Sequence, residues 1–235
     1  MRNNQGPILV VEDILNLLEL LEVTLRFKGY RVITAHDGVE ALERMEGFHP
    51  MIILPPSGKA KQAYWLKKVS TMKPALVITD ILMPRMDGFA FVHNLRMNPE
   101  TRDVPVIFLS AQYISPEDKE FAMSLGGTRF MEKPIDMEDF VLTIAEILAE
   151  EVQIVVSNTL DTHEFYQGYC ERLEYRLQHK NAQIARAEGL LPTLSDEQRP
   201  AFQAMLKQAY TDRESIQADL KEVHRTLDEF KTAAN

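Results

Sequence analysis

The sequence of 235 residues has a single cysteine, Cys170, and no long apolar run. A lone cysteine cannot form a disulfide within the chain, so a reducing compartment is expected. No segment approaches the roughly 18 apolar residues that a membrane-spanning helix needs. The first residues also lack the apolar stretch and the small-residue cleavage site of a signal peptide. We therefore expect a cytoplasmic protein that has no membrane partner.

Basic residues are also scarce. The chain has 26 Lys and Arg residues against 35 Asp and Glu residues, which gives a net charge of −9 and a pI of about 5.2. Acidic residues outnumber basic ones from residue 151 onward as well, by 14 to 10. A protein that binds the phosphate backbone of a nucleic acid needs a positive surface. The charge therefore predicts that the partners are proteins and not nucleic acids.

Short apolar runs alternate with helical patterns over residues 1–150. This alternation predicts an α/β fold, in which helices cover both faces of a five-stranded parallel sheet. Helices are expected at Leu17–Leu25, after Asp37-Gly38, over Gly88–Met97, after Pro116 and over Asp136–Glu150. The predicted strands are Pro7–Val11, Tyr30–Thr34, Ala75–Thr79, Val104–Leu109 and Thr128–Met131.

The ends of four of these strands carry reactive side chains. Glu12 and Asp13 follow the first strand, Asp80 the third, Ser110 the fourth and Lys133 the fifth. Ligands of such sheets bind at the carboxyl ends of the strands. Clustered carboxylates repel one another unless a cation joins them, and a hard ion such as Mg²⁺ prefers oxygen ligands. A carboxylate beside a metal ion and an ammonium group can act as a nucleophile toward phosphorus.

The four segments ILVVED (8–13), VITDILMPRMDG (77–88), VIFLSA (106–111) and EKP (132–134) occur in this order. In these motifs the chain resembles the CheY-like receiver domains of two-component response regulators. The resemblance implies a doubly wound, flavodoxin-like sheet and a role as a response regulator in a phosphorelay. Asp80 would then accept a phosphoryl group from a sensor histidine kinase or a phosphotransfer protein.

The resemblance also implies a role for each site residue. Asp80, Lys133 and Ser110 would carry the phosphoryl chemistry, and Ser110 and Phe130 would form the switch. The peptide bond between Lys133 and Pro134 is usually cis in this family. The magnesium ligands would be Asp13 and Asp80 directly, Glu12 through water, and the backbone carbonyl of Leu82.

Three features depart from the family's pattern. Ile14 and Leu15 stand where polar residues or proline are usual, and Phe130 lacks the hydroxyl of the commoner tyrosine. An insertion at about residues 47–74 carries Trp65 and five lysines. It is either a partner-docking element or, more simply, a surface elaboration that packs Trp65 on the domain.

Residues 151–235 follow a different pattern. Apolar residues recur at helical spacing from Tyr166 to Ala187 and from Phe202 to Phe230. Between them, Gly189–Ser195 interrupts the pattern, and Ser195 with Gln198 suggests a capping box. The segment predicts an antiparallel helical hairpin, which is able to pair with a second chain to form a homodimer. The second helix is expected to start nearer Pro200, and Val152–Val156 is either a connector or a continuation of the preceding helix.

The chain is expected not to be an enzyme, because the tail lacks a glycine-rich loop, a nucleophile elbow and a cluster of metal ligands. Its output would be phosphorylation-dependent binding of a downstream protein, or dimerisation. One alternative is a DNA-binding transcriptional regulator, although the predicted helices look too long for a compact recognition domain. Another is a phosphotransfer intermediate that uses His163, but a solvated surface histidine is the simpler interpretation. Asp37 and Asp87 are expected to be helix N-caps.

Overall fold

The structure is a computed structural model that describes residues 6–45, 73–112, 115–149 and 160–233. Most of the predicted insertion, with Trp65, lies outside these residues, as does Val152–Val156. The chain divides into two compact units. The first contains the sheet and its helices, and the second contains two long helices. None of the helices within the described ranges is long and apolar enough to cross a membrane.

The first unit is built on a parallel sheet of five strands in the order β2-β1-β3-β4-β5. Val11 pairs with Thr79, and Asp80 pairs with Leu109, so the strands end close to one another along one edge of the sheet. The prediction of a five-stranded parallel sheet is confirmed. The strands are β1 (Ile8–Val11), β2 (Val32–Ala35), β3 (Leu76–Asp80), β4 (Val106–Ser110) and β5 (Arg129–Glu132).

Helices cover both faces of this sheet. Helices α1 and α5 pack on one face, around buried residues such as Leu21 and Phe140. On the other face, the ring of Phe89 lies 5.8 Å from that of Phe108 and 5.1 Å from that of Phe121. Burying both faces explains why β1, β3 and β4 read as continuous apolar runs. The helices are α1 (Leu15–Phe27), α2 (Gly38–Arg44), α3 (Gly88–Met97), α4 (Pro116–Ser124) and α5 (Met137–Ala149).

Helix ends follow the expected local chemistry. The Asp37 carboxylate accepts a hydrogen bond from the backbone N–H of Glu40, and the Asp87 carboxylate accepts one from that of Ala90. Both aspartates are therefore N-caps, as predicted. Gly29 follows α1 with a φ of +87°, a left-handed conformation that costs glycine little.

The second unit is a hairpin of α6 (Thr162–Leu190) and α7 (Arg199–Ala233), joined through a 3₁₀ turn at Leu191–Thr193. Contacts pair the start of α6 with the end of α7, as the predicted antiparallel arrangement requires. In the seam, Lys180 Nζ lies 3.0 Å from Asp212 Oδ2.

Two details of the hairpin differ from the sequence analysis. The side chain of Gln198 accepts from the backbone N–H of Ser195, but α7 begins only at Arg199, so Ser195 does not cap it. The complete capping box is instead Asp161 with Glu164, at the start of α6. His163 is partly buried, and its ring packs edge-on against Phe230 at 5.5 Å. His163 thus keeps part of its surface in solvent, as interpreted, and also packs on α7.

Candidate functional site

The sheet brings the predicted reactive residues to one edge. Glu12 directly follows β1, and its backbone N–H donates to Ala35 O at 3.0 Å. Asp80 and Ser110 are the last residues of β3 and β4. Lys133 directly follows β5, and its backbone N–H donates to Ser110 O at 2.8 Å. The backbone hydrogen bonds of the sheet thus fix the position of each residue independently of its side-chain contacts.

Lys133 links two buried carboxylates. Its Nζ lies 2.7 Å from Glu12 Oε2 and 3.0 Å from Asp80 Oδ2. The second oxygen of each carboxylate accepts from the backbone, Glu12 Oε1 from Ile14 N at 3.2 Å and Asp80 Oδ1 from Ile81 N at 2.8 Å. Every carboxylate oxygen of this buried pair therefore has a partner, which fixes the orientation of both groups.

The three predicted acidic residues lie together. Glu12, Asp13 and Asp80 each offer a carboxylate oxygen, and these oxygens lie within 4.8 Å of one another. Glu12 and Asp80 are buried, whereas Asp13 is exposed to solvent. An oxygen-only donor set with one open side fits a small hard cation that keeps several of its waters, which is the preference of Mg²⁺. The residues present therefore fit the predicted magnesium ion.

The cluster perturbs the acidity of its members. Burial, and then the charge of Asp80, raises the pKa of Glu12 above its usual range. Burial also raises the pKa of Asp80, against the opposing effect of Lys133. Burial alone would lower the pKa of Lys133, but the charges of Asp80 and Glu12 together raise it. The site holds more negative charge than one ammonium group neutralises, so an additional cation is favoured.

The structure also places the remaining predicted residues. Ser110 is buried, and its Oγ accepts from the backbone N–H of Gln112 at 3.3 Å. Phe130 is partly buried in β5, with Lys119 Nζ 5.9 Å from its ring centroid. Leu82 lies two residues beyond Asp80, in the loop between β3 and α3, and its role as a metal ligand stays a prediction. The peptide bond between Lys133 and Pro134 is cis.

Comparison with known proteins identifies the domain. Residues 59–145 match the response regulator receiver domain family, and this range contains Asp80, Ser110 and Lys133. The chain carries a response regulator receiver domain. The match starts beyond β2, so Glu12 and Asp13 lie outside it and are assigned to the site by the geometry of the sheet.

Three similar proteins show how far the likeness extends. A probable transcriptional regulator, ycf27, of Cyanophora paradoxa is 28% identical over 81% of this chain and 69% of its own length. The alkaline phosphatase synthesis transcriptional regulatory protein PhoP of Bacillus subtilis is 28% identical over 75% of this chain and 69% of its own. Among solved structures, the chemotaxis response regulator CheY4 of Vibrio cholerae is 28% identical, with a TM-score of 0.47, over 61% of this chain and 99% of that one.

A contact of the receiver domain that the sequence analysis missed holds the loop after Asp80. Arg85 has a φ of +60°, which is unusual for a residue with a side chain. Its guanidinium forms an ion pair with the buried carboxylate of Asp37, the N-cap of α2. This ion pair anchors the loop that contains Leu82. The two residues are 48 positions apart, so no local pattern could have revealed the pair.

Gly88 is a second structural requirement of the receiver domain. A Cβ added there would overlap the backbone carbonyl oxygen of Asp80 and lie 3.0 Å from Ile81 Cα. Its backbone N–H donates to Ile81 O at 2.9 Å. The first turn of α3 can therefore lie against the end of β3 only because residue 88 has no side chain.

We predict that Gly88→Ala displaces the backbone of Asp80, because the atoms in the way are backbone atoms that cannot rotate aside. The free energy of unfolding should fall by about 1–3 kcal/mol, as for other overpacked sites. Urea denaturation checks this value. Gly189→Ala is the control: no atom of the described residues lies within 4 Å of its added Cβ in α6, so its stability should stay the same or rise by up to about 1 kcal/mol. Equal stability of Gly88→Ala and wild type would contradict the steric account.

Proposed function

We propose that this chain is a phosphorylation switch of a two-component phosphorelay. Asp80 accepts a phosphoryl group from a sensor histidine kinase or a phosphotransfer protein, and the modified domain then binds a downstream protein or a second copy of the chain. In this proposal the chain is a signalling protein and not an enzyme that turns over a separate substrate. The observation that carries it is the ammonium group of Lys133 held between the buried carboxylates of Glu12 and Asp80.

The geometry suggests how the transfer proceeds. Asp80 Oδ1 is held by the backbone N–H of Ile81, which leaves Oδ2, on the side of Lys133, to attack phosphorus. An oxygen–phosphorus bond forms while the bond from phosphorus to the donor's leaving atom breaks, and the leaving group keeps that electron pair. Lys133 remains beside the acceptor and balances the charge of the phosphoryl oxygens. The product is an acyl phosphate on Asp80.

Glu12, Asp13 and Asp80 would hold the magnesium ion, together with the carbonyl of Leu82. The bound ion supplies positive charge that neutralises the carboxylates and the incoming phosphoryl group. Without it, Asp80 is a poor acceptor, because burial raises its pKa and Lys133 offsets only part of the negative charge. The proposal therefore requires that phosphorylation depend on Mg²⁺.

The switch would start at Ser110. Its hydroxyl lies at the end of β4, next to the strand that ends in Asp80, and the register pairs Asp80 with Leu109. The Ser110 hydroxyl, which accepts from Gln112 N, would donate its hydrogen to the new phosphoryl oxygens and draw the loop of Gln112 inward. In β5, which pairs with β4, Phe130 would follow the movement of this loop.

Incubating the full chain with acetyl phosphate and Mg²⁺, followed by intact-mass measurement, tests the proposal. We expect the mass of one phosphoryl group to be added, and peptide mapping should place it on Asp80. Chelating the metal with EDTA should abolish the modification. Modification at another residue, or modification that persists in EDTA, would refute the proposed chemistry.

A second candidate output is the control of transcription, because the two similar proteins from Cyanophora and Bacillus are named transcriptional regulators. The length and the charge of the hairpin do not favour an output that binds DNA. Its helices have 29 and 35 residues, and residues 151–235 carry more acidic than basic side chains. Titrating labelled duplex DNA with the phosphorylated chain distinguishes the two outputs: binding that weakens with salt supports regulation of transcription, and no binding supports a protein partner.

A further inference from the structure

Three metal-binding side chains meet on the hairpin. Cys170 and Glu174 lie one turn apart on α6, and His224 faces them from α7. Their donor atoms, one each of sulfur, oxygen and nitrogen, lie within 4.8 Å of one another. The expectation that residues 151–235 contain no cluster of metal ligands was wrong, because His224 is 54 residues from Cys170 and becomes its neighbour only when the hairpin closes.

The distances between these donor atoms match the face of a tetrahedron. Cys170 Sγ lies 3.3 Å from His224 Nε2 and 3.9 Å from Glu174 Oε1, and His224 Nε2 lies 3.7 Å from Glu174 Oε1. Zinc binds sulfur at about 2.3 Å and nitrogen or oxygen at about 2.0–2.2 Å, so its tetrahedral ligands lie roughly 3.4–3.6 Å apart. Each observed distance is within a few tenths of an ångström of this range.

The surroundings of the three side chains allow an ion to enter and to stay. Cys170 is buried, whereas the side chains of Glu174 and His224 are each 51% exposed. A divalent cation would stabilise the thiolate and the carboxylate together.

We propose that Cys170, Glu174 and His224 form a binding site for Zn²⁺ that joins α6 to α7. Sulfur and imidazole ligands favour zinc over the hard ions that the carboxylates of the receiver domain suit. The three side chains fill three positions of the ion, and water or a further ligand takes the fourth. Bound zinc holds one turn of α6 against α7, and so stabilises the hairpin.

Co²⁺ serves as the probe because, unlike Zn²⁺, it has a partly filled d shell and therefore gives absorption bands when it is bound. We expect Co²⁺ added to the reduced full chain, with Mg²⁺ in excess to fill the receiver site, to produce a thiolate-to-cobalt charge-transfer band in the near ultraviolet. Zn²⁺ should then remove the band. Since Cys170 is the sole cysteine of the sequence, the band can come from no other residue. The oxygen ligands of the receiver site produce no such band.

Variants make the test specific. Cys170→Ser should abolish the band, and His224→Gln and Glu174→Gln should each weaken Co²⁺ binding by roughly tenfold or more. His179→Gln, on the exposed surface of α6, is the matched control and should bind as wild type does. Circular dichroism verifies that each variant keeps its helices. Absence of the band in wild type, or equal weakening by His179→Gln, would overturn the proposal. Neither result would contradict the proposed phosphorylation of Asp80, which is tested separately by intact-mass measurement.

Discussion

Asp80→Asn is expected to remove all acceptance of phosphate while leaving the receiver domain folded. Asparagine keeps an oxygen that accepts from the backbone N–H of Ile81, so the end of β3 keeps this backbone hydrogen bond and loses only the contact of Oδ2 with Lys133 Nζ. It has no nucleophilic carboxylate, and an amide cannot form an acyl phosphate. Intact-mass measurement with acetyl phosphate and Mg²⁺ should therefore show the unmodified mass throughout.

The stability of Asp80→Asn is the less obvious part of this prediction. Folding raises the pKa of Asp80, so the ionised carboxylate destabilises the folded state relative to the unfolded one. Its removal should leave the metal-free protein at least as stable as wild type at neutral pH, with Lys133 still paired to Glu12. The difference should vanish below roughly pH 4, where the group is protonated in both states. Urea denaturation at several pH values measures it.

Asp87→Asn is the matched control for this substitution. It removes the same charge from the loop that follows the same strand, and asparagine is as good an N-cap as aspartate. We expect it to accept one phosphoryl group as wild type does. If Asp87→Asn also lost phosphorylation, loss of charge near the site, and not loss of the nucleophile, would explain the behaviour of Asp80→Asn.

The sequence was most informative where local chemistry decides structure. The apolar runs of β1, β3 and β4 predicted a parallel sheet, and a parallel sheet brings the ends of its strands together. For that reason Glu12, Asp80, Ser110 and Lys133 could be placed in one site before any distance was known. The N-caps at Asp37 and Asp87 depend on residues only three positions away.

The sequence was least informative where two distant segments meet. The ion pair of Arg85 with Asp37 and the packing of His163 on Phe230 depend on which faces of two elements come together. The group of Cys170, Glu174 and His224 depends on the register of α6 against α7, which helical spacing alone leaves undetermined. Apolar spacing predicts that two helices pack, but a shift of one turn would separate these three residues.

Lys133→Met should strongly destabilise the metal-free receiver domain, in contrast to Asp80→Asn. Methionine fills similar space but leaves the buried carboxylates of Glu12 and Asp80 facing each other without a cation. Removing one partner of a buried ion pair typically costs about 3 kcal/mol or more. Hydrogen exchange of the amides in β1 and β3 measures this loss separately from the unfolding of the hairpin.

Magnesium ions should offset part of that loss. A cation among Glu12, Asp13 and Asp80 replaces the missing positive charge, so Mg²⁺ should stabilise Lys133→Met more than it stabilises wild type. Lys119→Met is the control, because Lys119 pairs with Glu132 on the surface and both side chains are exposed. Its stability should change by no more than about 0.5–1 kcal/mol, and Mg²⁺ should act on it as on wild type. Wild-type stability of Lys133→Met without Mg²⁺ would show that the carboxylates need no cation, and the electrostatic argument for the site would fail.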